Sequence, residues 1–236
     1  MKKRISIKKS RYEDGKWILE TSDDDYLSFS TEEEMIKFLK LVKFMKIDQK
    51  TILSLFFTPK LGIVSPLKDL WLDAMEFLEE FYFVLNDKFH DVNMEIFSKL
   101  NHLKECTILE STKLLKIVDA FPKLPNLICY GQMDDELLKL LASKLNKSNP
   151  LKILKLVPWI GFSIDAVETF LKRATFADSS RIVLKINAAL PEIEEMFKRI
   201  GKFDVILFGQ EGKIFEMMLK KIDEGIRLRV GLLLNL

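Results

Sequence analysis

The chain has 236 residues, 48% of them apolar and 31% charged, and a net charge of +2. That size suits one large domain or two small ones and allows about 70% of the unfolded surface to be buried, while the near-balanced charge excludes a global pull toward nucleic acid or anionic lipid. Two cysteines cannot build a disulfide framework, no run reaches the roughly 18 apolar residues of a membrane span, and no signal peptide follows Met1, so an intracellular protein of the cytoplasm or nucleus is expected.

The first residues alternate in polarity. "ISIKKS" and "KWILET" flank the turn signal "YEDG", which predicts a β-hairpin, with "YLSFS" as a third strand. In "STEEEMIKFLKLVKFMK", Ser30 or Thr31 caps a helix and Glu33 or Glu34 completes a capping box. Lys37, Lys40, Lys43 and Lys46 recur every third residue and form its wet face, opposite Met35, Phe38, Leu39, Val42 and Met45. Residues 1–47 are therefore expected to form a hairpin-and-helix cap.

Residues 48–236 repeat a strand-like run and a helix-like segment. The runs are "ILSLFF", "EFYFVL", "ECTIL", "NLICY", "LKILKL", "RIVLKI", "DVILF" and "IRLRV". Helix starts are expected at Ser65–Pro66, Asp134, Ser163 and Pro191, and a last helix carries Ile214, Phe215, Met218 and Ile222 before Gly225. "LKDLWLDAMEFLEEFYFVL" reads equally as one long helix or as a helix followed by a strand. Strand centres fall about 20 to 29 residues apart, the period of leucine-rich repeats. Leu151, Leu154 and Leu156 fit L-x-x-L-x-L, as do Leu124, Leu127 and Cys129, then Leu103, Cys106 and Ile108, and Ile200, Phe203 and Val205; Trp159 stands where the asparagine after such a motif would fall. Each unit has one apolar face and must stack to bury it, giving an irregular leucine-rich-repeat-like α/β solenoid with a parallel sheet. A layered domain of βαβ units is the competing architecture.

This order, a strand-rich start followed by irregular Leu/Phe/Lys-rich helix–strand repeats over roughly residues 5–230, resembles the FTH or F-box-associated region of nematode F-box proteins. In that family an amino-terminal F-box docks on the Skp adaptor of a ubiquitin ligase and the repeat region selects the target protein. The resemblance implies a substrate-recognition, adaptor-like role for the repeats; the strand-like sequence before Ser30 leaves no room there for the F-box helices.

Chemistry-bearing motifs are sparse. "FGQEGKIF" places Gly209 and Gly212 only two residues apart, with Ile214 after Lys213 where a P-loop needs Ser or Thr, so the segment reads as a strand-to-helix corner. His102 and Cys106 are too few for a metal site, Cys106 and Cys129 fall on buried strand positions, and His90 is isolated. No cofactor, metal or small-molecule substrate is predicted, and the chain is read as a non-enzyme; a small hydrolase or nucleotide-binding enzyme using His90, His102 or the Gly209–Lys213 turn is the remote alternative. Alternation along the strands leaves one sheet face for binding. Its outward set includes Thr107, Ile128, Lys155, Arg181, Val183, Lys185, Asp204, Ile206, Arg227 and Arg229. Of these, Lys155, Arg181, Lys185, Ile206, Arg227 and Arg229 form the expected partner-binding stripe, suited to an acidic segment of another protein. An RNA backbone is the second candidate, weakened by the scarcity of stacking aromatics beyond Tyr130.

Overall fold

The computed structural model describes residues 2–48, 67–84, 90–109, 114–211, 214–222 and 224–234, with some strand and helix side chains left aside. The expected strand "ILSLFF", the Ser65–Pro66 helix start and the residues Gly212 and Lys213 lie outside this set. The chain forms two compact units, residues 1–107 with 121–125 and residues 108–120 with 126–236.

In the first unit, β1 (Lys3–Glu13), β2 (Lys16–Thr21) and β3 (Tyr26–Phe29) make the expected antiparallel meander. Asp14 and Gly15 take the positive φ values, 51° and 78°, that a tight hairpin demands. Helix α1 (Glu32–Leu41) is capped by the Thr31 hydroxyl, which accepts from the Glu34 amide at 3.2 Å, while the Glu34 carboxylate reaches back to the Thr31 amide at 3.3 Å. The helix stops at Leu41, four residues before the expected Met45. Val42–Asp48 is instead strand β4, parallel to β1. Val42, Phe44 and Ile47 are buried, and Lys43 and Lys46 turn outward. Lysines three apart would alternate faces on a regular strand; the bulge that leaves Met45 unpaired between Phe44 and Lys46 turns both outward, and pairing with β1 decides for the strand. The ambiguous segment resolves into α2 (Lys68–Met75) and β5 (Glu80–Val84), with β5 parallel to β4. Then α3 (His90–Lys99) leads to β6 (Glu105–Leu109), whose entry is tied to β5 as the Lys104 and Glu105 amides both donate to the Glu79 carbonyl, at 2.8 and 3.0 Å. Helices α1, α2 and α3 touch in sequence. Under them lies an aromatic core: Trp71 stacks on Phe44 at 5.4 Å, and Phe97 meets Phe81, Phe83 and Phe121 at 4.9–5.8 Å.

The second unit contains α4 (Leu114–Ala120), β7 (Asn126–Gly131), α5 (Asp135–Lys144), β8 (Leu151–Pro158), α6 (Ile164–Arg173), β9 (Phe176–Ile186), α7 (Leu190–Ile200), β10 (Phe203–Glu211), β11 (Ile214–Lys221) and β12 (Arg227–Leu234). Strands β7, β8 and β9 are parallel neighbours in chain order. Right-handed crossovers that step one strand at a time keep the connecting helices on one side of the sheet, and α4, α5, α6 and α7 do touch in sequence. The repeat positions are buried: Leu127, Cys129, Leu151, Leu154, Leu156, Ile108, Ile200 and Phe203 in this unit and Leu103, Cys106 and Leu124 in the first. Ser163 caps α6 by accepting from the Ala166 amide at 3.2 Å, Pro191 lies in the first turn of α7, and Gly201 ends α7 at φ +62°.

The stepwise order then breaks. β10 does not join β9; the sheet order of this unit is β10-β11-β12-β9-β8-β7. β12 runs parallel to β9, and β11 pairs antiparallel with both β12 and β10. This corrects the expected last helix: Ile214–Lys221 is a strand in which Met217 and Leu219 are buried and Glu216, Met218 and Lys220 face outward. Gly209 therefore belongs to a β-meander rather than to a strand-to-helix corner, and Gly225, at φ +66°, turns β11 into β12 rather than ending a helix. Each unit is thus an α/β layer on a mostly parallel open sheet, with antiparallel strands at its margin.

Candidate protein-interaction face

The ladder of the second unit alternates between faces row by row. Leu127, Leu154, Ile182, Val230 and Met217 are successive partners across β7, β8, β9, β12 and β11, and all are buried toward the helices. The next row, Ile128, Lys155, Val183, Gly231 and Glu216, faces the other way, where no helix of this unit lies among the described residues. On the same open side, Ile153, Arg181, Arg229 and Met218 form the row before it. Tyr130, Val157 and Lys185 come from the row after it.

Five of the six expected stripe residues, Lys155, Arg181, Lys185, Arg227 and Arg229, are thereby gathered on adjacent strands β8, β9 and β12. Ile206 is separate: it sits on β10, beyond β11, at the register irregularity between Val205 and Leu207, and its side chain is outside the described part of the structure. Asp204, also outward, pairs with exposed Lys220.

The expected basic stripe changes character because of one residue the sequence reading assigned to a helix. Arg181 and Arg229 are direct ladder partners, an arrangement that like charges disfavour. Glu216 enters from β11 and serves both, at 3.9 Å from Arg181 and 3.5 Å from Arg229. Gly231 stands between Glu216 and Val183 in the ladder, so no side chain separates the carboxylate from the Arg181 column. Arg227 stays exposed while its amide donates to the Asp178 carboxylate at 3.0 Å, a bond that holds that carboxyl below its ordinary range. Asp178 precedes Ser179, at φ +61°, and buried Ser180, whose hydroxyl reaches the Leu151 and Ala177 carbonyls at 2.5 and 2.6 Å. This kink lets β9 switch register between Leu151 and Ile153.

The uncompensated cations lie on the parallel strands, Lys155 on β8 and Lys185 at the end of β9. Lys155 Nζ sits 5.2 Å from the Tyr130 ring centroid, a cation–π distance. The Lys185 ammonium donates to the Trp159 carbonyl. Neither lysine has a carboxylate partner among the described residues. Trp159 and Ile160 follow β8 here and are 66% and 74% exposed. The sequence reading had noted Trp159 only as a replacement for the repeat asparagine; its exposure was not legible from the repeat pattern.

The other candidate chemistry is not assembled. His102 is exposed and stacks on Phe77 at 4.6 Å, while Cys106 is buried in β6, where desolvation pushes its thiol up and away from the nucleophilic thiolate. The His90 side chain is outside the described residues, and no metal-holding group of His, Cys, Asp or Glu occurs among those described. The first unit holds a hollow of about 580 Å³ between Lys3, Arg4, Leu27, Phe38, Leu41 and Met45, with Ser22 and Asp23 in its lining, where the Ser22 hydroxyl donates to the exposed Asp23 carboxylate at 3.4 Å. No described helix is long and apolar enough to cross a membrane. No family model, no curated protein and no solved structure matches the chain.

Proposed function

We propose that this chain is a non-enzymatic protein-binding module, built as an irregular leucine-rich-repeat-like solenoid that offers its open sheet face to another protein. The observation that carries the reading is the face itself: in-register rows of half-buried apolar and charged side chains on β7, β8, β9, β12 and β11, with the helices on the opposite side. Ordered β–α stepping and burial of the repeat leucines support the solenoid description. The resemblance to F-box-associated regions adds an adaptor-like role in choosing a target protein. Half-exposed rows of this kind, apolar with charges at fixed positions, are the composition of a non-obligate interface.

RNA is the second reading, favoured by exposed Trp159 beside Tyr130 and two lysines, which could stack bases and meet phosphates. Glu216 counts against it, because it places a carboxylate between the two arginines at the centre of the face and halves their charge. A photo-crosslinker placed at Lys155, on the open face, tests the reading, with Lys139 on exposed α5 as control. A protein partner captured at Lys155 but not at Lys139, and lost when Lys185 and Arg229 are reversed to Glu, is the expected result. Equal capture at both positions rejects the face; RNA in place of protein, with binding that collapses as salt rises, selects the second reading.

A further inference from the structure

We infer that Trp159 and Ile160 form a preorganised anchor for an acidic peptide segment of a partner protein, one that sets an apolar side chain between carboxylates; this rests on the protein-binding reading of the same face. Two adjacent large apolar side chains in solvent are unusual on a folded surface and mark an interaction site. Here the backbone that carries them is also held. The Trp159 amide donates to the Gly131 carbonyl at 3.0 Å, the Phe162 amide to Lys185 at 2.9 Å, and the Asn187 amide to Phe162 at 2.9 Å. Phe162 is fully buried beneath the loop. Gly161, at φ +106°, lets the loop lie against β9 so closely that a Cβ there would be 2.8 Å from the Asn187 nitrogen. A tryptophan fixed before its partner arrives loses little freedom on binding, the property of an interface hot spot.

The charge beside the anchor chooses the partner. Lys185 meets the Trp159 carbonyl, and Lys155 lies over Tyr130, the neighbour of the Gly131 that holds the Trp159 amide; neither lysine has a carboxylate partner among the described residues. Where the loop enters α6, the Asp135 carboxylate is already engaged, accepting from the Ser163 amide at 3.0 Å. The complement is therefore negative and apolar. An anionic membrane is the poorer occupant, since electrostatic anchoring takes clusters of about four to eight cations and this site has two.

The test uses the full chain and fluorescein-labelled synthetic peptides with a Phe-Leu pair between runs of Asp and Glu. Expected are saturable binding and a blue shift of Trp159 emission, identified by its absence in Trp159→Phe. Trp159→Ala should weaken binding about thirtyfold, the hot-spot threshold expressed as affinity, with its melting temperature unchanged. Lys155→Gln should weaken binding less and flatten its salt dependence. Peptides with Ser in place of Phe-Leu, or with Asn and Gln in place of the acids, should fail. Equal binding of those controls, no binding of the acidic peptide, or the same emission shift on phosphatidylserine–phosphatidylcholine vesicles or on polyuridylate overturns the proposal. Should a partner crosslink at Lys155 yet be indifferent to Trp159→Ala, the anchor falls and the face reading stands.

Discussion

Replacing Gly161 by alanine should loosen the Trp159–Ile160 loop without touching either side chain. Its φ of +106° lies where L-residues are rarely found, a strain of about 1–3 kcal/mol. The new methyl would also stand 2.8 Å from the Asn187 nitrogen and 3.0 Å from the Ile186 carbonyl carbon, both backbone atoms that cannot rotate aside. To relieve the clash the loop must leave β9 and give up the Phe162–Lys185 and Asn187–Phe162 hydrogen bonds, each contributing about 1 kcal/mol. The loop either stays under that strain and clash or leaves and loses the two bonds, so the cost is about 2–3 kcal/mol, or a fall of roughly 4–12 °C in melting temperature for a chain of this size. Thermal denaturation reads the global part, and hydrogen exchange at the Phe162 and Asn187 amides reads local detachment. A melting temperature within 2 °C of wild type (roughly 0.5–1 kcal/mol) together with undiminished protection of both amides would refute the claim that the loop is locked by close backbone approach.

Glu216→Gln leaves Arg181 and Arg229 opposed without their shared carboxylate; because the arginines are about half exposed, the loss should be under about 1 kcal/mol, visible in urea titration and shrinking as salt is raised. Glu168 is held below its ordinary carboxylate range first by the Lys172 hydrogen bond and then by Arg199. Its contribution is present above the ordinary value of 4.5 and is lost as pH falls through the depressed folded value, so Glu168→Gln and wild type should differ in melting temperature at pH 7 and draw together as the pH is taken progressively below 4.5. Leu156→Ala removes a fully buried repeat leucine and should cost about 2–5 kcal/mol in denaturant unfolding; an exposed-site value below 1 kcal/mol would deny that this position faces the helical layer.

Much of the architecture could be read from the chain because burial on one sheet face imposes a strict alternation. Leu127–Cys129 and Leu154–Leu156 are spaced for strands, and the cap at Ser163 and the stop at Gly201 are local chemistry that tertiary structure had no reason to override. Two segments misled for the same reason. In "VKFMKID" and "IFEMMLKK", apolar and charged residues are spaced so that helix and strand periods both fit, the strand period in the first with one bulge, and only their ladder partners, β1 and β5 for the first and β10 and β12 for the second, decide. Five stripe residues were legible from parity alone. Glu216 was not, because its parity follows from a strand that had been read as a helix. Trp159 was visible as a residue but not as a surface, since a repeat motif says which positions face inward and nothing about a loop that fails to fold back.

The antiparallel ending also decides what the open face can bind. Had the parallel stepping continued past β9, Arg181 and Arg229 would have stood on non-adjacent strands, each free to meet an acidic partner. Insertion of β12 beside β9 instead puts the two guanidiniums in one row, which like-charge opposition makes unfavourable by a few tenths to about 1 kcal/mol. Glu216 on β11 offsets that cost and ties the terminal hairpin to the parallel strands. The cluster consequently carries a net charge of +1 rather than +2, while Lys155 on β8 and Lys185 at the end of β9 have no carboxylate partner among the described residues. A partner drawn by charge should therefore engage the Trp159 end first and lie across the Arg181–Glu216–Arg229 cluster second. In that order Lys155→Glu slows association, whereas Arg229→Glu, placed beside Glu216 and opposite Arg181, acts on dissociation. Stopped-flow rates for the two variants separate the steps, and an equal slowing of association by both would mean that Glu216 does not screen the two arginines in solution.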